Sequence, residues 1–446
     1  MKLRRFISMM LIVTMLTVFA GCGNKDDRTQ AAKTLNLDGP ITVNVWFNNS
    51  DYEPYLEFVA KQFKQANELV NINPVYVEAD SYINYIYDES VRNDNACDLY
   101  FLTSEEIEKA YLMGLMSEND MYPQVYNEDV FGKAAMTACS YNGKLYGYPV
   151  SFNTSFLVYN KKYAEPVETI DQIRQISDNY QVTDENQDVS MVFQWAPGSM
   201  FLNYPACGKY INIGGNNSED SSSVSVDGDS IKKVLKKYAE LNSAFGTDRN
   251  NTSLETCVDL FSTGNLLYTI LDADSISKID LSEIDYGICK YPSMGNDVES
   301  KAMSVTTMAV VNPYTKNVDA SKAVARAISY DYADYMESTA KKSCARADIK
   351  VKRNVENYKA MHDIYSDSVV KAKYIGVGEV YMRYEIMLHQ VYDGTNVDEA
   401  YNLFAACIDR MAKQTEASTV NSGNSSTKKC IIFLLLTYNY SIENLW

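Results

Sequence analysis

Residues 41–63 read ITVNVWFNNSDYEPYLEFVAKQF. Ile41–Phe47 is an apolar run rich in β-branched and aromatic residues, which predicts a strand. The polar cluster Asn48-Asn49-Ser50-Asp51 ends it, and Tyr55, Leu56, Val59 and Phe63 then recur at helical spacing. Ser50 with Glu53 three residues later has the spacing of a capping box, and Pro54 falls in the first turn, where its missing N–H costs nothing. The pattern repeats. Residues 73–78 (NPVYVE) read as a second strand, 91–96 are polar, and 97–102 (CDLYFL) read as a third strand. Thr103 and Glu106 repeat the capping spacing before an amphipathic helix through Leu115. Strand–helix–strand–helix order predicts parallel βαβ units and an α/β sheet. Ligands of such sheets bind beyond the carboxyl ends of the strands, so residues 48–51 and 103–106 are candidate ligand loops on geometry alone.

Further along, residues 141–162 (YNGKLYGYPVSFNTSFLVYNKK) predict a hairpin turn at Asn142-Gly143, with strands over 145–152 and 156–159. Residues 181–190 and 214–230 are polar and Gly/Ser/Asp-rich, the composition of surface loops. Helices are predicted over 231–245, 253–261, 320–336, 379–392 and 397–413, and strands over 266–271, 285–290 and 302–311. No repeat of solenoid period occurs.

The N-terminus is of a different kind. Lys2, Arg4 and Arg5 precede an apolar stretch from Phe6 to Ala20 that is too short for a stable membrane span, the pattern of a secretory signal removed from the mature chain. Ala20-Gly21-Cys22 resembles a bacterial lipobox, in which cleavage precedes a cysteine that carries diacylglycerol; Phe19 stands where Leu is usual. An ordinary signal peptide ending near a cysteine is the alternative. Residues 22–39 are polar and aperiodic, as a tether would be. At the other end, 414–429 is low-complexity Ser/Thr/Asn, and 430–446 (CIIFLLLTYNYSIENLW) is too short in its apolar part to span a bilayer. A shifted reading frame or a small membrane-contacting tail would each account for it.

Composition narrows the function. The 446 residues hold 41 Lys+Arg against 58 Asp+Glu, a formal charge of −17, and losing the leader would deepen it. Such a chain lacks the basic footprint of a nucleic-acid binder. Two histidines, His362 and His389, leave no room for a multi-histidine metal site, and both read as surface or packing residues. Cys97, Cys139, Cys207, Cys257, Cys289, Cys344 and Cys407 are widely spaced without a CxxC pair and read mostly as small buried hydrophobes, with one or two bridges left open. No GxSxG, P-loop, HExxH or Rossmann glycine pattern occurs, so no enzyme is predicted; cofactors and metals are expected to be none.

Several segments then share an order and spacing with one family. ITVNVWFNNSDYEPYLEFVAKQF, CDLYFLTSEEIEKAYLMGLM, YNGKLYGYPVSFNTSFLVYNKKY, VDLFSTGNLLY, DYGICKYPS and AMSVTTMAVVNPYTKNVDASKAVARAIS together resemble the extracellular solute-binding proteins of ABC transporters, the family of the maltose-binding protein. The resemblance covers about residues 40–413. It implies a two-lobed periplasmic-binding-protein-like α/β fold with an interlobe ligand cleft, lobe one being 40–150 plus 292–340 and lobe two 151–291 plus 341–413. Crossovers are expected near 148–152, 291–294 and 338–344. The implied function is a lipid-anchored, monomeric receptor that captures a small ligand, an oligosaccharide before others, and hands it to membrane permease subunits. A ligand-sensing receptor or adhesin on the same fold, or a polyamine or peptide ligand, are the alternatives.

Candidate ligand residues follow. Asn48, Asn49 and Asp51, and likewise Ser104 and Glu105, follow predicted strands and carry donors and acceptors for hydroxyls, although capping would occupy the same groups. Asn153 falls at the first crossover, where the family places a ligand contact. Trp195 offers a stacking face and an indole N–H, or else packs lobe two. Asp272 and Asp274 stand where the family often carries Gly and Trp, so a stacking platform is replaced by carboxylates suited to hydroxyls or a cation. Their D-x-D-S run lacks the glycine and terminal glutamate of a calcium loop. Tyr381 and Tyr384 share a helix face where family members place a stacking aromatic, with core packing as the alternative.

Overall fold

The computed structural model describes residues 35–93, 96–349 and 354–421, with side chains described through residue 412. The leader, Cys22, most of the tether and the tail beyond 421 lie outside the described residues.

Three strands, β1 (Ile41–Phe47), β2 (Val70–Tyr76) and β3 (Leu99–Thr103), pair in parallel with β1 in the middle, as the strand–helix alternation predicts. The helix Glu53–Ala66 buries Tyr55, Leu56, Val59 and Phe63, the stripe read from the sequence. Neither predicted capping box forms. Asn49 instead accepts the Asp51 N–H and opens a 3-10 turn over Ser50–Tyr52, so the helix begins at Glu53 with Pro54 in its first turn. Thr103 likewise precedes a 3-10 turn, Ser104–Glu106, without a side-chain cap bond. Between β2 and β3 lies a helix the sequence reading does not contain, Tyr82–Arg92. It buries Tyr82, Ile83 and Ile86 while exposing Tyr85, and tyrosines on both faces blur the apolar stripe.

The hairpin β4 (Ser140–Tyr141) and β5 (Lys144–Leu145) turns on Asn142 and Gly143, at φ 50° and 75°. A two-residue hairpin turn that follows the strand twist needs this left-handed pair, which Asn-Gly supplies cheaply. Then comes β6 (Tyr148–Asn160), thirteen residues long, in place of the two strands expected there. Later strands are β7 (Met191–Phe193), β8 (Ile211–Gly214), β9 (Asp220–Val226), β10 (Leu266–Asp272), β11 (Tyr286–Cys289), β12 (Met303–Val311) and β13 (Val369–Val370).

Among the described residues these form a nine-stranded sheet in the order β2-β1-β3-β12-β6-β10-β7, with β11 also on β6 and β13 on β12. The strand β6 is the pivot of this order. Tyr148–Thr154 pairs antiparallel with β12, and from Ser155 onward the same strand pairs with β10 and β11. The first half of the sheet is covered on both faces: Val43, Val45 and Phe47 enter one cluster, Trp46, Tyr100 and Leu102 the other. A further cluster around Trp195, Tyr204, Tyr238, Tyr384 and Tyr392 packs the β10–β7 side.

Two more expectations are corrected. The stretch 214–230 is not all loop, because β9 pairs with β8; its DSSSVSV buries little beyond Val224 and so carries no apolar alternation to read. The helix expected over 320–336 is broken into Val318–Arg326, a π-helical turn Ala327–Asp331, a 3-10 turn Ala333–Tyr335, and Met336–Ala340. Within the π-helical turn the Ile328 carbonyl accepts the Tyr55 hydroxyl. The seven described cysteines are all free, and burial pushes the thiols of Cys97, Cys207, Cys257 and Cys344 up to about 12, which leaves them inert at neutral pH.

Candidate ligand-binding cleft

The loops after β1 and β10 meet at a lysine. Asp51 leaves β1 with its carboxylate exposed, and the Lys342 Nζ lies 3.0 Å from it. The same Nζ lies 3.3 Å from Asp274, two residues beyond β10. Lys342 itself sits on the segment that runs beside β6, where Phe152 N–H donates to the Ser343 carbonyl (3.1 Å) and Ala345 N–H to the Val150 carbonyl (3.0 Å). Both halves of the sheet and the segment alongside β6 therefore converge on one ammonium group.

Asn153 holds the second carboxylate in place. Its Nδ2 donates to Asp272 Oδ2 at 3.0 Å, and its Oδ1 accepts the Asp274 N–H at 3.4 Å. The other Asp272 oxygen accepts the N–H and hydroxyl of Ser275, capping the short turn that follows. Asp272 is thus spent on the loop and buried, while Asp274 keeps 39% of its side chain exposed. Burial raises the Asp274 carboxyl above the ordinary carboxylate range, with Lys342 opposing and Asp272 adding to the rise. For Lys342 burial pulls the pKa down, but Asp274 and Asp51 outweigh it and the net direction is up. Below them Tyr52 packs edge-on against Phe101 and shares a 2.6 Å hydrogen bond with Ser151.

A second lysine marks the other loop. Glu105 pairs with Lys371, whose ammonium also lies 5.4 Å from the centre of the Tyr381 ring. Ser104 is fully buried and accepts the Thr306 N–H at 3.2 Å, a structural role. Asn48 and Asn49 are exposed at the end of β1, and Asn49 is engaged as the turn cap.

The three aromatic candidates are buried. Trp195 has no exposed surface; it stacks on Phe193, and its indole N–H donates to Asn203 at 3.0 Å. The Tyr381 hydroxyl accepts the Ala372 N–H, and Tyr384 donates to the Tyr204 carbonyl, both rings lying in the core. No face of these rings is left for a ligand in this structure. Asp51, Asn153, Asp272 and Asp274 are brought together, with Glu105 beside Lys371. The sequence reading misses both lysines. Lys342 falls within the expected third crossover, and that position is the one signal that pointed to it.

A family model described as bacterial extracellular solute-binding protein matches residues 59–337, more than half of the chain. The chain belongs to the bacterial extracellular solute-binding proteins. A search among curated proteins returns no match. Solved structures similar to this solute-binding protein include a cyclo/maltodextrin-binding protein complexed with maltotetraose, at 15% identity and TM-score 0.70, covering 87% of this chain and all of that one. An extracellular solute-binding protein from Staphylococcus aureus in complex with maltose reaches 16% identity and TM-score 0.70, over 85% of this chain and all of that one. The maltose-binding periplasmic protein of Listeria monocytogenes, also with maltose, stands at 16% and 0.69, over 84% and 98%. At such identities the likeness shows the fold, which is the two-lobed architecture of periplasmic binding proteins.

Proposed function

We propose that this solute-binding protein is the receptor of an ABC importer, and that it captures an oligosaccharide between its lobes and delivers it to membrane permease subunits. In this reading lobe one is 40–150 plus 292–340 and lobe two 151–291 plus 341–413. Residues 1–21 are a signal peptide, Cys22 carries the lipid, and the chain works as a monomer on the outer side of the membrane. The observation that carries the proposal is the convergence of Asp51 and Asp274, from opposite halves of the sheet, on the one ammonium of Lys342, which gathers their acceptor oxygens in one place. A ligand bridging both carboxylates binds the closed form better than the open one, and that difference in affinity drives closure. Carboxylates suit sugar hydroxyls because they accept from several donors at once. The saccharide-bound state of similar structures supports the ligand class.

The test is a thermal-shift screen of the chain without its signal peptide, residues 22–446, against neutral oligosaccharides, amines and peptides. A true ligand at about 100 times its Kd stabilises the fold by about 2.7 kcal/mol. A shift with an oligosaccharide supports the reading; a shift confined to peptides or amines overturns it. Anchoring is tested separately, since Cys22→Ala should release the protein from membranes and continued attachment would contradict lipidation.

A further inference from the structure

The Lys342 side chain is 10% exposed, whereas those of Asp51 and Asp274 are 55% and 39% exposed. The ammonium is therefore the floor of the cluster and the two carboxylates are its rim. A primary ammonium held between carboxylates from the two halves of the sheet has the geometry that an amine ligand would adopt there. Here the chain supplies that ammonium itself. We propose that Lys342 is the specificity-determining residue of the cleft, filling an ammonium subsite formed by Asp51 and Asp274 so that uncharged, hydroxyl-bearing ligands enter and amines are turned away.

Charge and connectivity carry the inference. Without Lys342 the carboxylates of Asp51, Asp272 and Asp274 would face one another uncompensated, an arrangement that like-charge repulsion disfavours and that a soluble cation would relieve. Asp272 cannot absorb the change, because Ser275 and Asn153 already occupy its oxygens. With Lys342 in place, its ammonium pairs with both Asp51 and Asp274, and the carboxylate lone pairs that face outward accept hydrogen bonds from hydroxyls. Backbone pairing beside β6 fixes where the lysine starts, and the Ser343 hydroxyl, 3.4 Å from the Ala273 carbonyl, ties the same segment to the Asp274 loop. The half of the proposal that concerns admitted ligands rests on the oligosaccharide reading above; the half that concerns excluded amines does not.

The experiment removes the ammonium and offers it back. Lys342→Ala is titrated with ethylammonium chloride and 1,4-diaminobutane, using sodium chloride at equal ionic strength as reference, and followed by thermal midpoint and calorimetry. Ethylammonium should bind the variant at least tenfold more tightly than the wild type. Adding Asp274→Asn should abolish the gain, and Lys342→Arg should keep amines out. If Lys342→Ala folds poorly, Lys342→Ser takes its place, and a folding yield that rises with ethylammonium is the expected result. Equal amine affinity in wild type and variant, or no amine response beyond the salt reference, overturns the proposal. A wild type that binds amines and no oligosaccharide overturns both this inference and the oligosaccharide reading. A wild type that binds neither, beside a variant that binds ethylammonium, overturns only the latter.

Discussion

The imidazole of His362 is buried among aromatic rings, 4.4 Å from the centre of Tyr358 and 5.0 Å from that of Phe152. Burial lowers its pKa to about 3. The unfolded chain takes up this proton near pH 6.5 while the folded chain refuses it until about 3, so stability is complete above about 6.5 and falls as the pH drops. At pH 5 the loss from this one group is about 2 kcal/mol. His362→Phe should remove that loss, shown by urea midpoints at pH 7 and pH 5 that lie closer together than in the wild type. An unchanged difference would mean that other groups govern the acid sensitivity. At the same scale, Trp195→Phe should cost stability and leave ligand affinity within about twofold, because the ring is wholly core. A large affinity loss would return Trp195 to the site. Read from the sequence, Trp195 and the tyrosines at 381 and 384 were equally suited to stacking and to packing. Only tertiary burial separates those roles, whereas the loop position of Asp51 was legible because strand ends fix where loops point, and that of Asp274 came from the family resemblance.

Among the elements, the segment after β13 threads between parts of the chain that are distant in sequence. Lys373 donates to the carbonyls of Thr137 (2.8 Å) and Ser140 (2.6 Å) and lies 3.6 Å from Glu219. Burial lowers its pKa to about 8, with Glu219 opposing. The folded state therefore sheds this proton before the unfolded state does, and stability gains with rising pH between about 8 and 10. Lys373→Met should flatten that rise in a comparison of unfolding free energies at pH 7.5 and 9.5. Parallel pH profiles in the two proteins would contradict a buried, strained ammonium here. Close packing of β11 on β6 gives a backbone test: a Cβ on Gly287 would sit 2.1 Å from the Tyr159 ring. Gly287→Ala should thus cost about 1–3 kcal/mol in chemical denaturation. Strands with apolar runs, such as β1, β10 and β12, were legible at this scale. The serine-rich β9 was not, because it carries no apolar alternation; the helix Tyr82–Arg92 was not, because tyrosines lie on both its faces; and nothing in the apolar pattern marks the π-helical turn.

For the whole molecule, the single strand β6 joins the half of the sheet on β12 to the half on β10 and β11, and the cluster at Lys342 lies beside that junction. Order and spacing of short segments conveyed this architecture even though no one motif did, because the family fold fixes the succession of elements and not their residues. The central claim is that Asp51 and Asp274 together hold the ligand. It is tested most directly by calorimetric titration of the best oligosaccharide from the screen into the wild type and into the Asp51→Asn/Asp274→Asn double variant. Two weakened charge-assisted hydrogen bonds predict at least about a tenfold rise in Kd with the fold intact. Equal affinity in the two proteins would contradict the account.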